Sequence, residues 1–333
     1  MSFDPGAGVS TQAAVRDLRP LSVGEMLDRA FSICFKNMLP FLAIVTIVFI
    51  PQIVFYYFGM KDMFGLWSDM IGSISSGADP STLSPDKILQ AEANGSPFIF
   101  FASLIAVFLI PLSNAAVVSG VSRAYLGLPV RFVQCYLDAW PRWGQLILLT
   151  LAWIAAIVVA FMAFFVAFVI IGAALAAIIA LLGTVGTVIG VLLGIAVGVV
   201  ALLIVFQLYL AAAYSFVAAV LEGTPFIMAF SSGFRRVFAE GQFWRSLAIA
   251  ASIFGIIIGL ELVAGIVGAL AIALTKSFAL DFVLSGLVGA LCYPFLFAVV
   301  AVSYYDVRIR REGFDLQMLA AQLGTAPPAP PAR

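Results

Sequence analysis

The sequence has no histidine, three cysteines, and charge on only 10% of its 333 residues. Each shortage excludes something. Without histidine the commonest general base and the commonest metal ligand are missing. Cys34, Cys135 and Cys292 lie far apart with no CxxC pair, so neither a zinc site nor a disulfide framework is expected, and no cofactor is implied. Lys and Arg number 17, as do Asp and Glu, so net charge selects no partner, and nucleic acid is not expected. Charge is also missing locally: from Trp143 to Leu221 no residue carries one. A soluble core does not hide such a run, and 63% hydrophobic residues far exceed the usual share of about 45–50%. The chain reads as an all-α integral membrane protein.

A bilayer core takes about 20 apolar residues per helix. Six segments qualify, about 39–58, 98–122, 145–172, 190–220, 247–274 and 279–305. The uncharged stretch is read as two long helices that turn within Gly183–Gly190. Residues 59–97 are expected as one external loop, holding a short helix that starts at Ser84-Pro85 and ends at Gly95. Around the membrane domain, 20–319, stand a segment at 1–19 and a disordered proline-rich tail at 320–333. Asp4, Asp17, Glu25 and Asp28 precede the first apolar run, a pattern unlike a signal peptide. Of the Lys and Arg residues, all but Lys61, Lys87 and Lys276 fall on one side of a six-span arrangement. By the positive-inside rule that side, with both termini, is cytoplasmic.

Three amphipathic segments precede the three hairpins of spans and are expected to lie at the cytoplasmic interface. In 21–36, Val23, Met26, Leu27, Ala30 and Cys34 share a stripe behind the capping box Ser22-Val23-Gly24-Glu25. In 129–140 the stripe is Val133, Tyr136, Leu137 and Trp140. The third begins with a Thr224-Pro225 cap and aligns Ile227, Phe230, Phe234 and Val237. Pro111-Leu112-Ser113-Asn114 before Gly127 matches Gln207-Leu208-Tyr209-Leu210 before Gly223, with a looser copy from Pro294 to Gly313. Three pseudo-repeated units, each an interfacial helix plus a hairpin, account for this; so does the general likeness of membrane hairpins.

Glu261 stands mid-span, where an ionisable group costs at least a few kcal/mol unless paired, hydrated or protonated. Gln207 and Asn114 are its neutral candidate partners. It reads either as a proton- or cation-linked site or as a protonated structural residue. Gly186, Gly190, Gly194 and Gly198 share one helix face, suited to close packing within the chain or to a second copy. Pro51, Pro111 and Pro294 are expected to kink their spans. At the cytoplasmic face Glu25, Asp28 and Arg29 from the start join Asp306, Arg308, Arg310 and Arg311 from the end. These form either a surface for lipids, anionic headgroups included, or for a protein partner, or a solvated ion network that sets topology.

Two stretches carry a resemblance. Arg19-Pro20-Leu21-Ser22-Val23-Gly24-Glu25-Met26-Leu27-Asp28-Arg29-Ala30-Phe31 resembles the opening of the bacterial family named for the membrane domain of glycerophosphoryl diester phosphodiesterase. Tyr304-Tyr305-Asp306-Val307-Arg308-Ile309-Arg310-Arg311-Glu312-Gly313-Phe314-Asp315-Leu316 resembles its close. The resemblance implies a membrane domain of the bacterial inner membrane, mostly found alone, with no catalytic residue to carry over. The short tail leaves no room for the phosphodiesterase barrel that follows the domain in some relatives, so no enzyme is expected. The leading expectation is a scaffold or accessory domain acting through lipid, a protein partner or a homo-oligomer. The alternative is a transporter or channel for a small solute or ion using Glu261.

Overall fold

The computed structural model describes residues 19–77, 84–238 and 241–313 of the protein. The expected tail, the first 18 residues and Asp315 lie outside them. Among the described residues every element is helical, and six helices are long and apolar enough to cross a membrane. They are Met38–Ser76, Pro85–Tyr125, Phe132–Ala177, Ile179–Leu221, Phe243–Thr275 and Phe278–Glu312. The chain divides into two compact units, residues 1–143 with 255–333, and residues 144–254.

In the first unit α1, Val23–Lys36, starts where the capping box puts it. The Glu25 amide donates to Ser22 Oγ at 3.3 Å, and the Ser22 amide donates to Glu25 Oε2 at 2.7 Å. Met26, Ala30, Ile33 and Cys34 form its buried face, with Val23 and Leu27 half-buried. The next two helices, α2 (Met38–Ser76) and α3 (Pro85–Phe108), overrun the expected spans. The 39 residues of α2 rise about 58 Å at about 1.5 Å each, well beyond a hydrocarbon core of about 30 Å. Most of the expected loop is therefore two helical arms.

Glycine is the reason the arms pair. A Cβ on Gly95 would overlap the Gly59 carbonyl, so the two backbones meet only because both side chains are missing. Phe58 stacks near Phe98 at 5.8 Å, and the Asn94 amide donates to Asp62 at 3.0 Å. Gly95 thus lies inside α3 and does not end a short helix there.

The chain breaks after Phe108, and α4 (Ile110–Tyr125) carries Pro111 in its first turn. That proline marks a helix start, while Pro51 and Pro294 stand inside theirs. The helix α5, Phe132–Ala139, buries Cys135 and Ala139, while Val133, Leu137 and Trp140 of the expected stripe stay exposed. Gly120 on α4 sets this choice, because a Cβ there would lie 3.4 Å from Cys135 Sγ and 2.9 Å from the Phe41 ring. Only the small face of α5 fits so close. The helix α9, Phe278–Glu312, runs along α2 with Tyr293 on Phe49 (4.7 Å) and Phe282 on Phe64 (5.4 Å).

In the second unit α6, Trp143–Leu221, departs from helical geometry at Gly183 (φ 56°, ψ −129°). Glycine alone adopts this backbone without strain, and beyond it Gly190 packs on Ile179, so the run folds back as a hairpin. The α7 helix, Phe226–Phe238, seats Ala229, Gly233 and Val237 inward, and Phe230 and Phe234 flank Trp153 at 4.7 and 5.2 Å. Ile227 faces out, and among the described residues Thr224 Oγ1 is buried without a partner, so the expected threonine cap is not made there. The α8 helix runs Phe243–Thr275; Phe254 on it stacks against Phe206 at 4.1 Å.

Each short helix rests on the end of a span: α1 on α9, α5 on α4, and α7 on the second arm of α6.

Candidate functional site

The opening and closing stretches meet. Leu21 sits just before the Ser22 cap, nearly buried, and its amide donates to Asp306 Oδ1 at 2.7 Å. Asp306 itself has no exposed surface, and Arg310, one turn on, donates to it through Nε at 3.0 Å. The same guanidinium donates to the Leu21 carbonyl at 3.0 Å. One acid and one base thus clamp both polar groups of a single peptide residue. A buried carboxylate is tolerated where donors surround it, as here.

Apolar contacts extend the clamp along α1. Phe31 meets Phe295 at 5.4 Å, and Cys34 Sγ donates to the Pro294 carbonyl at 3.6 Å. Burial pushes the Cys34 thiol up to about 12. On the other side Tyr305 stacks flat on Tyr125 (4.9 Å, 6°) and shares a 2.7 Å hydrogen bond with Ser122. Arg29 lies over the Tyr125 ring at 4.5 Å, a cation–π arrangement.

Where α1 faces Ala124–Leu128 a cavity of about 720 Å³ opens, lined by Arg19, Glu25, Asp28, Arg29, Ser32 and Lys36 among others. Arg19 pairs with Glu25 at 2.6 Å. The Ser22 amide, followed by the Arg19 guanidinium, holds the Glu25 carboxyl down to about 2. Of the expected surface, Glu25, Arg29, Asp306 and Arg310 come together around α1, whereas Arg308 turns to Glu312 at 2.9 Å. Among the described residues Asp28 makes no ion pair with the closing stretch; that role falls to Asp306, acting on the backbone. Sequence reasoning missed Lys36, Tyr125 and Ser122 as members of this site. The signal available was helical spacing, since Asp28, Ser32 and Lys36 recur every fourth residue.

Asn114, the expected partner of Glu261 in the first unit, is taken up elsewhere. Glu261 is exposed on the surface of α8 and makes no hydrogen bond or ion pair among the described residues. Asn114 accepts from Tyr293 at 2.7 Å, and the Gln207 amide donates to the Phe243 carbonyl at 3.0 Å, leaving Gln207 Oε1 buried without a partner among the described residues. The glycine face divides: Gly186 and Gly190 are buried, while Gly194 and Gly198 are open, with room for a Cβ. Asp281, which the sequence reading passed over, presses against Gly268 and accepts from Ser285 at 3.4 Å. Among the described residues no three His, Cys, Asp or Glu side chains are grouped to hold a metal ion.

No family model, curated protein or solved structure matches the chain.

Proposed function

We infer that this chain is a non-catalytic protein of the bacterial inner membrane, a scaffold or accessory domain working through lipid or protein contacts at the cytoplasmic ends of its helices. One observation carries the reading: the clamp of Asp306 and Arg310 on Leu21, with a charged cavity open beside it. The most enclosed ionic group in the first unit therefore organises a helix end. The cytoplasmic placement of that end, and of both termini, rests on the one-sided distribution of Lys and Arg. The likeness of the two clamped stretches to the stand-alone membrane domain of glycerophosphoryl diester phosphodiesterases agrees with it.

Three acid–base pairs support a pseudo-repeat. Asp306–Arg310 secures α1, Arg123 reaches Asp138 between α4 and α5 at 3.4 Å, and Arg236 reaches Glu222 between α7 and α6 at 2.8 Å. In this reading each short helix belongs with the span before it, and α1 with the last span. All three helices lie at the interface, presenting exposed residues such as Val133, Leu137, Trp140, Ile227 and Met228 to lipid.

The rival, a small-solute or ion transporter, draws on Glu261, an unpaired carboxyl on a span. Purified protein in liposomes separates the two. The scaffold reading expects no solute- or proton-dependent flux, with lipid or a protein partner co-purifying in mild detergent. Flux that Glu261→Gln abolishes, in a variant that still folds, overturns it.

A further inference from the structure

Two charges of opposite sign in the cavity beside α1 are neutralised by nothing among the described residues. Among the described residues neither Asp28 nor Lys36 makes a hydrogen bond or ion pair, and both line the cavity. Arg19 and Glu25 are already paired there, and Arg29 is held over the Tyr125 ring. Asp28, Ser32 and Lys36 follow one another at four-residue spacing on one face, about 12 Å from first to last at about 1.5 Å per residue. Helical side chains lean toward the helix N-terminus, so the long Lys36 chain swings its ammonium toward Ser32 and Asp28. On either side of Lys36 in the chain, and outside the cavity lining, stand two exposed apolar side chains, Phe35 at 64% and Leu39 at the start of α2 at 79%. From Leu39 on α2 back through Lys36, Ser32 and Asp28 on α1, the chain order is exposed hydrocarbon, cation, hydroxyl, carboxylate.

An amphiphile with a matching order has acyl chains, then a phosphate, then an amine. We propose that this cavity binds the headgroup of a zwitterionic aminophospholipid, its phosphate between Lys36 and Arg29 and its primary ammonium at Asp28. Acyl chains lie along Phe35 and Leu39. A glycerol headgroup leaves Asp28 facing a hydroxyl in place of a cation. A trimethylated amine presents no N–H to the carboxylate, so choline is the poorer ligand. The assignment rests on the lipid-contact reading above and gives it a ligand class.

The test uses the full chain in detergent, incubated with equal amounts of acyl-matched phosphatidylethanolamine, phosphatidylglycerol and phosphatidylcholine, with bound lipid counted by native mass spectrometry. Ethanolamine lipid should be enriched several-fold over both others. Asp28→Asn should reduce that preference to near one while lipid still binds, and Lys36→Ala should lower binding of all three. Low thiol reactivity of Cys34 in each variant confirms that α1 remains docked. Soluble glycerophosphoethanolamine should compete poorly, because it lacks the acyl chains. Lipids bound in the proportions supplied overturn the proposal, as does an ethanolamine preference that Asp28→Asn leaves intact. Equal competition by the soluble headgroup overturns the assignment to lipid. Flux through the wild type sinks the scaffold reading alone, whereas loss of headgroup preference with a co-purifying partner retained sinks this site alone.

Discussion

Replacing Asp306 by alanine removes the acceptor of the Leu21 amide and the counter-ion of Arg310 in one step. Breaking a buried pair by deleting one partner costs about 3–5 kcal/mol. Arg310 keeps 33% of its side chain exposed, so water takes up part of its charge and the low end, about 3 kcal/mol, applies. Asp306→Asn keeps an oxygen for the Leu21 amide and loses only the charge. A hydrogen bond to a charged group is worth about 1.5–3 kcal/mol against about 1 for a neutral one, so this change should cost about 1–2 kcal/mol. In a double-mutant cycle, Asp306→Ala and Arg310→Ala should couple by about 0.5–3 kcal/mol, since they share one network.

Cys34 supplies the assay. It lies on the face of α1 that the clamp holds down, 1% exposed, with its thiol pushed up to about 12, so it reacts through an undocked state. In a Cys135→Ser, Cys292→Ser background, the labelling rate at mildly alkaline pH follows the opening equilibrium when opening is fast. At about 1.36 kcal/mol per decade, Asp306→Ala should label about 10²-fold faster and Asp306→Asn about 10-fold faster. A wild-type labelling rate in the alanine variant refutes the clamp. Equal effects of Ala and Asn mean that charge, and not the Leu21 bond, holds α1.

Three further outcomes follow from the same structure. Gly95→Ala forces a methyl into the Gly59 carbonyl and should lower stability by about 1–3 kcal/mol in a detergent melt, while Gly194→Ala, facing open space, should stay within about 0.5 kcal/mol; equal effects would mean that α2 and α3 do not touch there. Single cysteines at Ser76 and Ala326, in a cysteine-free background, should label from opposite sides of the membrane, and same-side labelling would require an odd number of spans. Because Glu25 titrates lower in the folded chain than in the unfolded one, its contribution is complete above about pH 4.5 and lost as pH falls toward about 2. Amide protection over Ser22–Met26, corrected for intrinsic exchange, should fall across that window in wild type and stay flat in Glu25→Gln.

Local chemistry was legible in the sequence wherever the cause is local. Ser22 and Glu25 sit three residues apart, and their mutual caps form as the spacing requires. Gly183 stands within the stretch picked out for the turn and takes a positive φ there. Readings failed where the deciding neighbour is distant. Gly59 and Gly95 look like loop residues until each meets the other's backbone across 36 positions of chain. The stripe of Val133, Leu137 and Trp140 can be read from spacing, but that Cys135 and Ala139 form the packed face depends on Gly120 of α4. Asp306 is 285 residues from the amide it accepts, and no periodicity links the two.

The burial of the small face of α5 has a physical cause that bears on the other short helices. In water, the largest apolar side chains go inward because burial is worth about 25 cal/mol per Å². At a membrane surface that gain is also available outside, from lipid, so packing selects for close backbone approach. Small residues then share the interior: Ala30 and Cys34 beside Met26 and Ile33 on α1, Cys135 and Ala139 on α5, Ala229 and Gly233 beside Val237 on α7. The large residues of the same helices, Phe35, Leu137 and Ile227, are left at 64%, 59% and 67% exposure. A count of large apolar residues alone therefore does not show which face of such a helix packs. The same logic explains why polar groups carry the specificity of the short helices here. Where hydrocarbon is welcome on every side, hydrophobicity cannot choose one docking face, and a buried acceptor such as Asp306 can.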